Sequence, residues 1–413
     1  MRTLYIAPGF GMDIRTGGGQ RTRLMFEALN SFSDVDVMPV GSHADPFHRT
    51  VFPEAANIVD GQFGRKKLFG LMPAIARRNR FVAQKISRLI TSRREHFTAD
   101  EVSRATMAKV DLGAYDLIIG RYLEPTSKMG VLEMATDAPV LVDIDDRDDN
   151  KMRNMAENRS ASLPKRLYAR RLHRQLIDIF AEKIALADHL WLASTDDLEG
   201  IDHRSKTVLP NIPFLTIDDS YDPRALEEPG RILFIGHAQH LPNRDGLLGF
   251  VAGAWPKIRA KAPNARLRVV GREFTENMVG AGAAEGVDIL GFVEDLQEEY
   301  ARASLVIAPV MEGGGTKIKV LEAMQFQKPV VAHRHSTHGF HSEGAPIFRS
   351  CETMNQMAAA SLDLMQDEAA RLSLIAAGNA YVRANHSREM FMARVREDCE
   401  AALARKGRAT SAP

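Results

Sequence analysis

Cysteine is almost absent. Cys351 and Cys399 are the only two in 413 residues, and they lie far apart and outside any Cys-x-x-Cys spacing, which gives no support to a disulfide framework or a structural zinc site. A reducing compartment, the cytoplasm, is therefore expected. Long apolar runs are missing as well: no stretch approaches the roughly 18 residues that a membrane-spanning helix needs. The start, Met1 to Gly9, holds one short apolar run before Pro8 and Gly9 and reads as a first strand, not as a signal peptide. Short repeats and low-complexity tracts are lacking. Net charge is only +1, so the whole-chain balance selects no class of partner, and no companion motif points to nucleic acid.

What is present is the composition of a soluble globular chain, 45% apolar and 26% charged, long enough for two lobes. Short apolar runs alternate with longer amphipathic stretches, the rhythm of βα units around parallel sheets. Strands are predicted at 3–7, 116–120, 139–143 and 189–194, with helices over 20–31 and 165–187. Between Pro210 and Gly230 the rhythm stops, and Pro210, Pro213, Pro223, Pro229 and Gly230 mark an interdomain linker. It restarts with strands at 231–236, 265–271, 287–290, 305–309 and 329–332, and helices over 245–260, 317–326 and, as a pair, about 365–405. The expected fold is α/β with two Rossmann-like domains: residues 1–212, a linker at 213–227, residues 228–385, and a last helix at 386–413 that returns to the first domain and ends in a frayed tail.

The most informative stretch runs from Pro309 to Met324. A strand end leads into Gly313, Gly314 and Gly315, then Thr316 and Lys317, then a helix carrying Lys319 and Glu322. Glycines let the backbone approach an anion, and the free N–H groups of a helix start point at it with the dipole behind them, which suits a diphosphate. Lys317 or Lys319 adds a full charge. Glu322 lies where a carboxylate could accept two hydrogen bonds from a ribose diol. The plain alternative is a flexible loop capped by Thr316, with Glu322 solvated.

This stretch, with Gln327 to Ala332 after it, resembles the donor-site signature of retaining family-4 glycosyltransferases. Other segments agree in order: Phe234 to Gly236 with Pro242 to Gly246, Leu267 to Gly271, and Leu290 to Leu296. The likeness covers about 150 residues of the second half. It implies a GT-B fold, two Rossmann-like domains facing across a cleft, and a hexosyltransferase moving a sugar with retention from a nucleoside diphosphate sugar to an acceptor hydroxyl. It implies a donor site at Gly236, Asn243, Arg244 and Arg272, with the base near Phe292 and Val293. No cofactor is obligatory in that reading and no metal is expected. The acceptor would be a saccharide, a lipid-linked glycan or a protein, most simply in bacterial polysaccharide or glycolipid synthesis. The chain departs from the family in two places. Gly314 stands where the first acid of a two-glutamate motif belongs, with Glu312 two positions earlier, and the loop after Gly236 offers His237, His240 and Arg244 in place of an Arg and a Lys five residues apart. A non-catalytic nucleotide-sugar-binding subunit, or a GT-B epimerase or phosphorylase, are the alternatives.

Four segments stay open. Gly17, Gly18 and Gly19 form either a tight βα turn or a loop over acceptor and phosphate, and Arg21 points either into the cleft or along the surface. Asp143, Asp145 and Asp146 follow a strand; Asp145 and Asp146 are candidates to orient an acceptor hydroxyl or the transferred sugar, against a divalent-metal site or an acidic helix cap. Residues 62–94 hold ten Lys or Arg and no acid, which fits either peripheral contact with the inner face of a membrane or a solvated helix. His333, His335, His338 and His341 fall within nine residues without a recognised zinc spacing, and read as a loop.

Overall fold

The computed structural model describes residues 1–9, 16–41, 46–64, 93–145, 147–157, 162–215, 217, 221–280, 285–311 and 317–410. Two parallel sheets organise them. The first contains β1 (Arg2–Pro8), β2 (Asp34–Val40), β3 (Asn57–Ile58), β4 (Leu117–Arg121), β5 (Val140–Asp145), β6 (His189–Leu192) and β7 (Lys206–Val208), in the order β3-β2-β1-β4-β5-β6-β7. The second contains β8 (Arg231–Ile235), β9 (Arg266–Val270), β10 (Val287–Gly291), β11 (Leu305–Ala308), β12 (Val330–His333) and β13 (Arg349–Cys351), in the order β10-β9-β8-β11-β12-β13. In both, strand order reverses beside the first strand, between β1 and β4 and between β8 and β11. Such switch points leave a crevice at the carboxyl ends of the strands. Two Rossmann-like α/β lobes of this kind are the GT-B fold.

Coverage on both faces explains why the inner strands β8, β11 and β12 are near-continuous apolar runs. Ile232 and Phe234 of β8 join a core with Leu267 and Val269 on one face, while Leu233 joins Val306, Ala308 and Val330 on the other. A strand covered on both faces has no polar side to show. The first lobe buries Leu4, Ile6, Ile118, Val140 and Val142 in the same manner.

The chain divides into two compact units, Met1–Leu209 with Met392–Pro413, and Pro210–Phe391. The described part of the expected linker is not free: Leu215, Ile217 and Tyr221 pack on the second core, and the Tyr221 hydroxyl donates to Phe326 O at 3.0 Å. The returning helix, Arg388–Thr410, is anchored in the first unit by Asp398, whose Oδ2 accepts from Trp191 Nε1 at 2.8 Å and Thr207 Oγ1 at 2.7 Å.

Three helix boundaries differ from expectation for identifiable reasons. The first helix spans Gly17–Asn30, because Thr16 Oγ1 accepts from Gly19 N at 3.2 Å and starts it early. The helix expected over 245–260 begins at Leu241, since Pro242 is tolerated in a first turn, and it breaks at Ala254 before Pro256, giving Leu241–Gly253 and Trp255–Lys261. The C-terminal pair is preceded by a third helix, Met354–Gln366, whose partners are Glu368–Asn385 and Arg388–Thr410.

Candidate functional site

In the second unit the carboxyl ends of β8 to β11 collect most of the residues singled out in the sequence. Gly236 follows β8, and its N–H donates to Val270 O at 3.0 Å. Its close neighbour Gly271, at φ +139°, leaves no room for a side chain: a Cβ there would lie 1.4 Å from Gly236 O. The two strand ends are thereby held together beneath the crevice.

The helix after β11, Ile318–Gln325, brings two charged side chains in together. Lys319 Nζ donates to Asn243 Oδ1 at 2.7 Å and lies 5.1 Å from the centre of the Phe234 ring. Burial, then the neighbouring Lys317 charge, lowers its pKa to about 7, with Glu322 opposing. Glu322 is only 6% exposed and accepts a hydrogen bond from the Tyr300 hydroxyl at 3.1 Å. Burial raises its pKa to about 7 against the pull of Tyr300 and Lys319. Tyr300 is itself fixed by stacking on Phe326, with ring centres 4.6 Å apart. A buried carboxyl with one hydroxyl donor and, one turn away, a half-buried amine with one amide acceptor leave bonding capacity that a ligand with hydroxyls and negative charge would complete.

Phe292, after β10, is 57% exposed; an aromatic ring so placed is a stacking platform. The Arg272 guanidinium, after β9, lies 4.6 Å from its centre. Val293 turns the other way and packs on the core. Arg244 is half-buried and pairs with Asp245 at 3.1 Å. Lys317 caps the Ile318–Gln325 helix through its carbonyl, which accepts from Val320 N at 2.9 Å. Glu312, Gly313, Gly314, Gly315 and Thr316 lie outside the described residues, as does Asp146. His333 and His335 stack at 5.6 Å, and among the described residues no group of three His, Cys, Asp or Glu is arranged to hold a metal.

The first unit holds a buried charge network that sequence reading found only in part. Asp143 accepts two hydrogen bonds from Arg21, at 3.0 and 2.8 Å, and lies 3.2 Å from Arg121 Nη1. Arg121 Nη2 donates to Asp145 at 2.7 Å and to the Tyr122 hydroxyl at 2.9 Å. Arg21 is 1% exposed, so it runs neither along the surface nor out of its lobe. Asp145 is not poised as a base. Burial alone would raise its pKa, but the Arg121 and Arg21 charges outweigh burial and hold it well below the usual carboxylate range. In this structure it pairs with Arg121 at 2.7 Å and lies 3.3 Å from the Tyr122 hydroxyl. Asp145 and Tyr122 both have left-handed backbones, at φ +56° and +65°; such strain persists where surrounding bonds over-determine it. Gly17, Gly18 and Gly19 are the first turn of a helix, not a loop. A Cβ at Gly18 would sit 3.1 Å from the Tyr122 hydroxyl. Arg121, Tyr122 and Tyr300 were not anticipated; the visible signal for Arg121 is a charge that ends an apolar strand.

Comparison with known proteins agrees with this geometry at the level of fold. The GT-B class is seen in solved structures matched along nearly the whole chain. Sucrose-phosphate synthase from Thermosynechococcus elongatus matches over 100% of both chains at 16% identity and a TM-score of 0.62. HepE from Anabaena, in complex with UDP, matches over 97% of this chain and 100% of its own at 13% identity and a TM-score of 0.59. TarM, which is from S. aureus, matches over 96% and 98% at 11% identity and 0.62. Residues 229–367 match the family described as Glycosyl transferases group 1, a range that contains every residue expected from the sequence at a donor site. No curated protein sequence matches the chain.

Proposed function

We propose that the protein is a cytoplasmic glycosyltransferase that moves a sugar from a nucleoside diphosphate donor to an acceptor hydroxyl with retention of configuration. The observation that carries this reading is the juxtaposition of Lys319 and Glu322 on the helix after β11, at the switch point of the second sheet, inside the stretch that matches the group 1 family. Glu322 takes the ribose diol, and the Phe292 ring with Arg272 takes the base. Lys319, Lys317 and the N–H groups at the helix start take the diphosphate. These groups stabilise the negative charge that grows on the diphosphate as its bond to the anomeric carbon breaks. The acceptor oxygen bonds to that carbon on the face the diphosphate leaves, and the acceptor proton passes to the departing phosphate oxygen. A saccharide or lipid-linked glycan is the proposed acceptor class, as in polysaccharide or glycolipid synthesis.

Thermal stabilisation by a panel of nucleoside diphosphates tests the donor site, with UDP, the ligand in the HepE structure, as the first probe. One member is expected to raise the melting temperature, and Glu322→Ala to abolish that rise; an unchanged rise in the variant removes the donor-site assignment. Release of nucleotide from the matching donor that requires an added saccharide acceptor then separates transfer from epimerisation or simple binding.

A further inference from the structure

The helix Leu163–Ile184 packs one side on the core of the first unit through Ala169, Leu172, Leu176, Ile179 and Phe180. Its opposite side ought to be polar throughout. Instead Leu163 is 64% exposed, Leu167 54% and Ile177 44%. At about 100° of rotation per residue these three share one stripe with Arg170 and Arg174, and Arg171 borders it; all three arginines are exposed. None of the three enters an ion pair among the described residues. The acids are few: Glu182, near the C-terminal end, is paired with Arg94 and Lys183, which leaves Asp178 at the edge of the stripe.

From this face we infer that the protein docks on an anionic lipid surface, with the helix Leu163–Ile184 lying in the plane of the interface. Aliphatic side chains interleaved with arginines along one face of a helix of 22 residues, about 33 Å long, match acyl chains beneath anionic head groups. Among the described residues no helix is long and apolar enough to cross a membrane, so the contact is peripheral. A second copy of the chain fits this face poorly, because antiparallel pairing about the middle of the helix brings Arg174 beside its own counterpart. Lipid docking is independent of the donor-site reading. It also differs from contact through the basic stretch 62–94, most of which lies outside the described residues.

Sedimentation of the full chain with vesicles tests it. Binding is expected to vesicles that contain phosphatidylglycerol and not to vesicles of phosphatidylcholine alone, and it should weaken as salt rises. Arg170→Glu with Arg171→Glu and Arg174→Glu should weaken it about a hundred-fold, and Leu163→Ser with Leu167→Ser about ten-fold. Because all five positions are exposed, both variants should keep the melting temperature and the nucleoside diphosphate response of the parent, which shows that they fold and that the donor site is untouched. Three results overturn the proposal: no binding by the parent, undiminished binding by both variants, or loss only when Arg77, Arg78 and Arg80 are reversed instead. A parent that is dimeric and becomes monomeric with the arginine changes would assign the face to a second copy and overturn it equally.

Discussion

Glu322 and Lys319 stand one turn apart on the same helix, and burial acts on them in opposite senses. The carboxyl is raised to about 7 and the amine lowered to about 7. For Glu322 the folded chain keeps a proton that the unfolded chain loses near 4.5, so its contribution to stability falls as pH rises from about 4.5 to about 7. For Lys319 the unfolded chain keeps a proton to near 10.5, so stability rises from about pH 7 to about 10.5. These two groups contribute least to stability near neutrality. Glu322→Gln should therefore raise the melting temperature more at about pH 8 than at about pH 5; an equal gain at both would mean that burial does not govern this carboxyl. Sequence spacing already marked both residues, since a glycine-rich loop before a helix is a local pattern. The Tyr300 hydroxyl that touches Glu322 at 3.1 Å comes from 22 residues away, and no local pattern signals it.

At the scale of elements, the helix Leu241–Gly253 is the part whose seat matters most to the site, because it carries Asn243 to Lys319. It is seated by Gly246: a Cβ there would lie 2.6 Å from Pro309 O and 3.0 Å from Pro309 C, both backbone atoms. In a helix interior Gly→Ala normally gains about 1 kcal/mol. Here the clash should win, with overpacking costing about 1 to 3 kcal/mol. Gly246→Ala is expected to lower the melting temperature and, by displacing Asn243, to weaken the nucleotide-dependent rise; a more stable variant with full response would show that the helix can shift freely. The strand and helix alternation was legible because the inner strands are covered on both faces and the helices between them bury one side. The early start of this helix was not, since Pro242 reads as a loop residue until the first turn that accommodates it is seen.

At the scale of the whole molecule, the chain ends in the unit where it began. Burial raises the Asp398 carboxyl, but hydrogen bonds from His189, Thr207 and Trp191 outweigh it and hold it below the ordinary value, so the last helix is tied to β6 and β7 by a charged acceptor. Asp398→Ala removes that acceptor and leaves the Trp191 indole N–H buried without its partner, at a cost of about 1 to 3 kcal/mol. The only two tryptophans, Trp191 and Trp255, report on one unit each. Denaturation followed in Trp191→Phe and Trp255→Phe backgrounds should show Asp398→Ala moving the first unit's transition and leaving the second's in place. Equal movement of both would mean that the units unfold as one.

The βα order, the second lobe and the candidate positions Lys319 and Glu322 were legible in the sequence, because strand alternation, helix striping and a glycine-rich stretch before a helix are all written within a few neighbouring residues. Only the tertiary structure decided which charges meet. Arg21 and Asp143 are 122 residues apart and Arg121 and Asp145 are 24 apart, and their pairing makes both acids buried counter-charges. The same holds for the site's chemistry: a lysine or a glutamate has its ordinary pKa until packing removes water from around it, and that burial is a property of the assembled sheet.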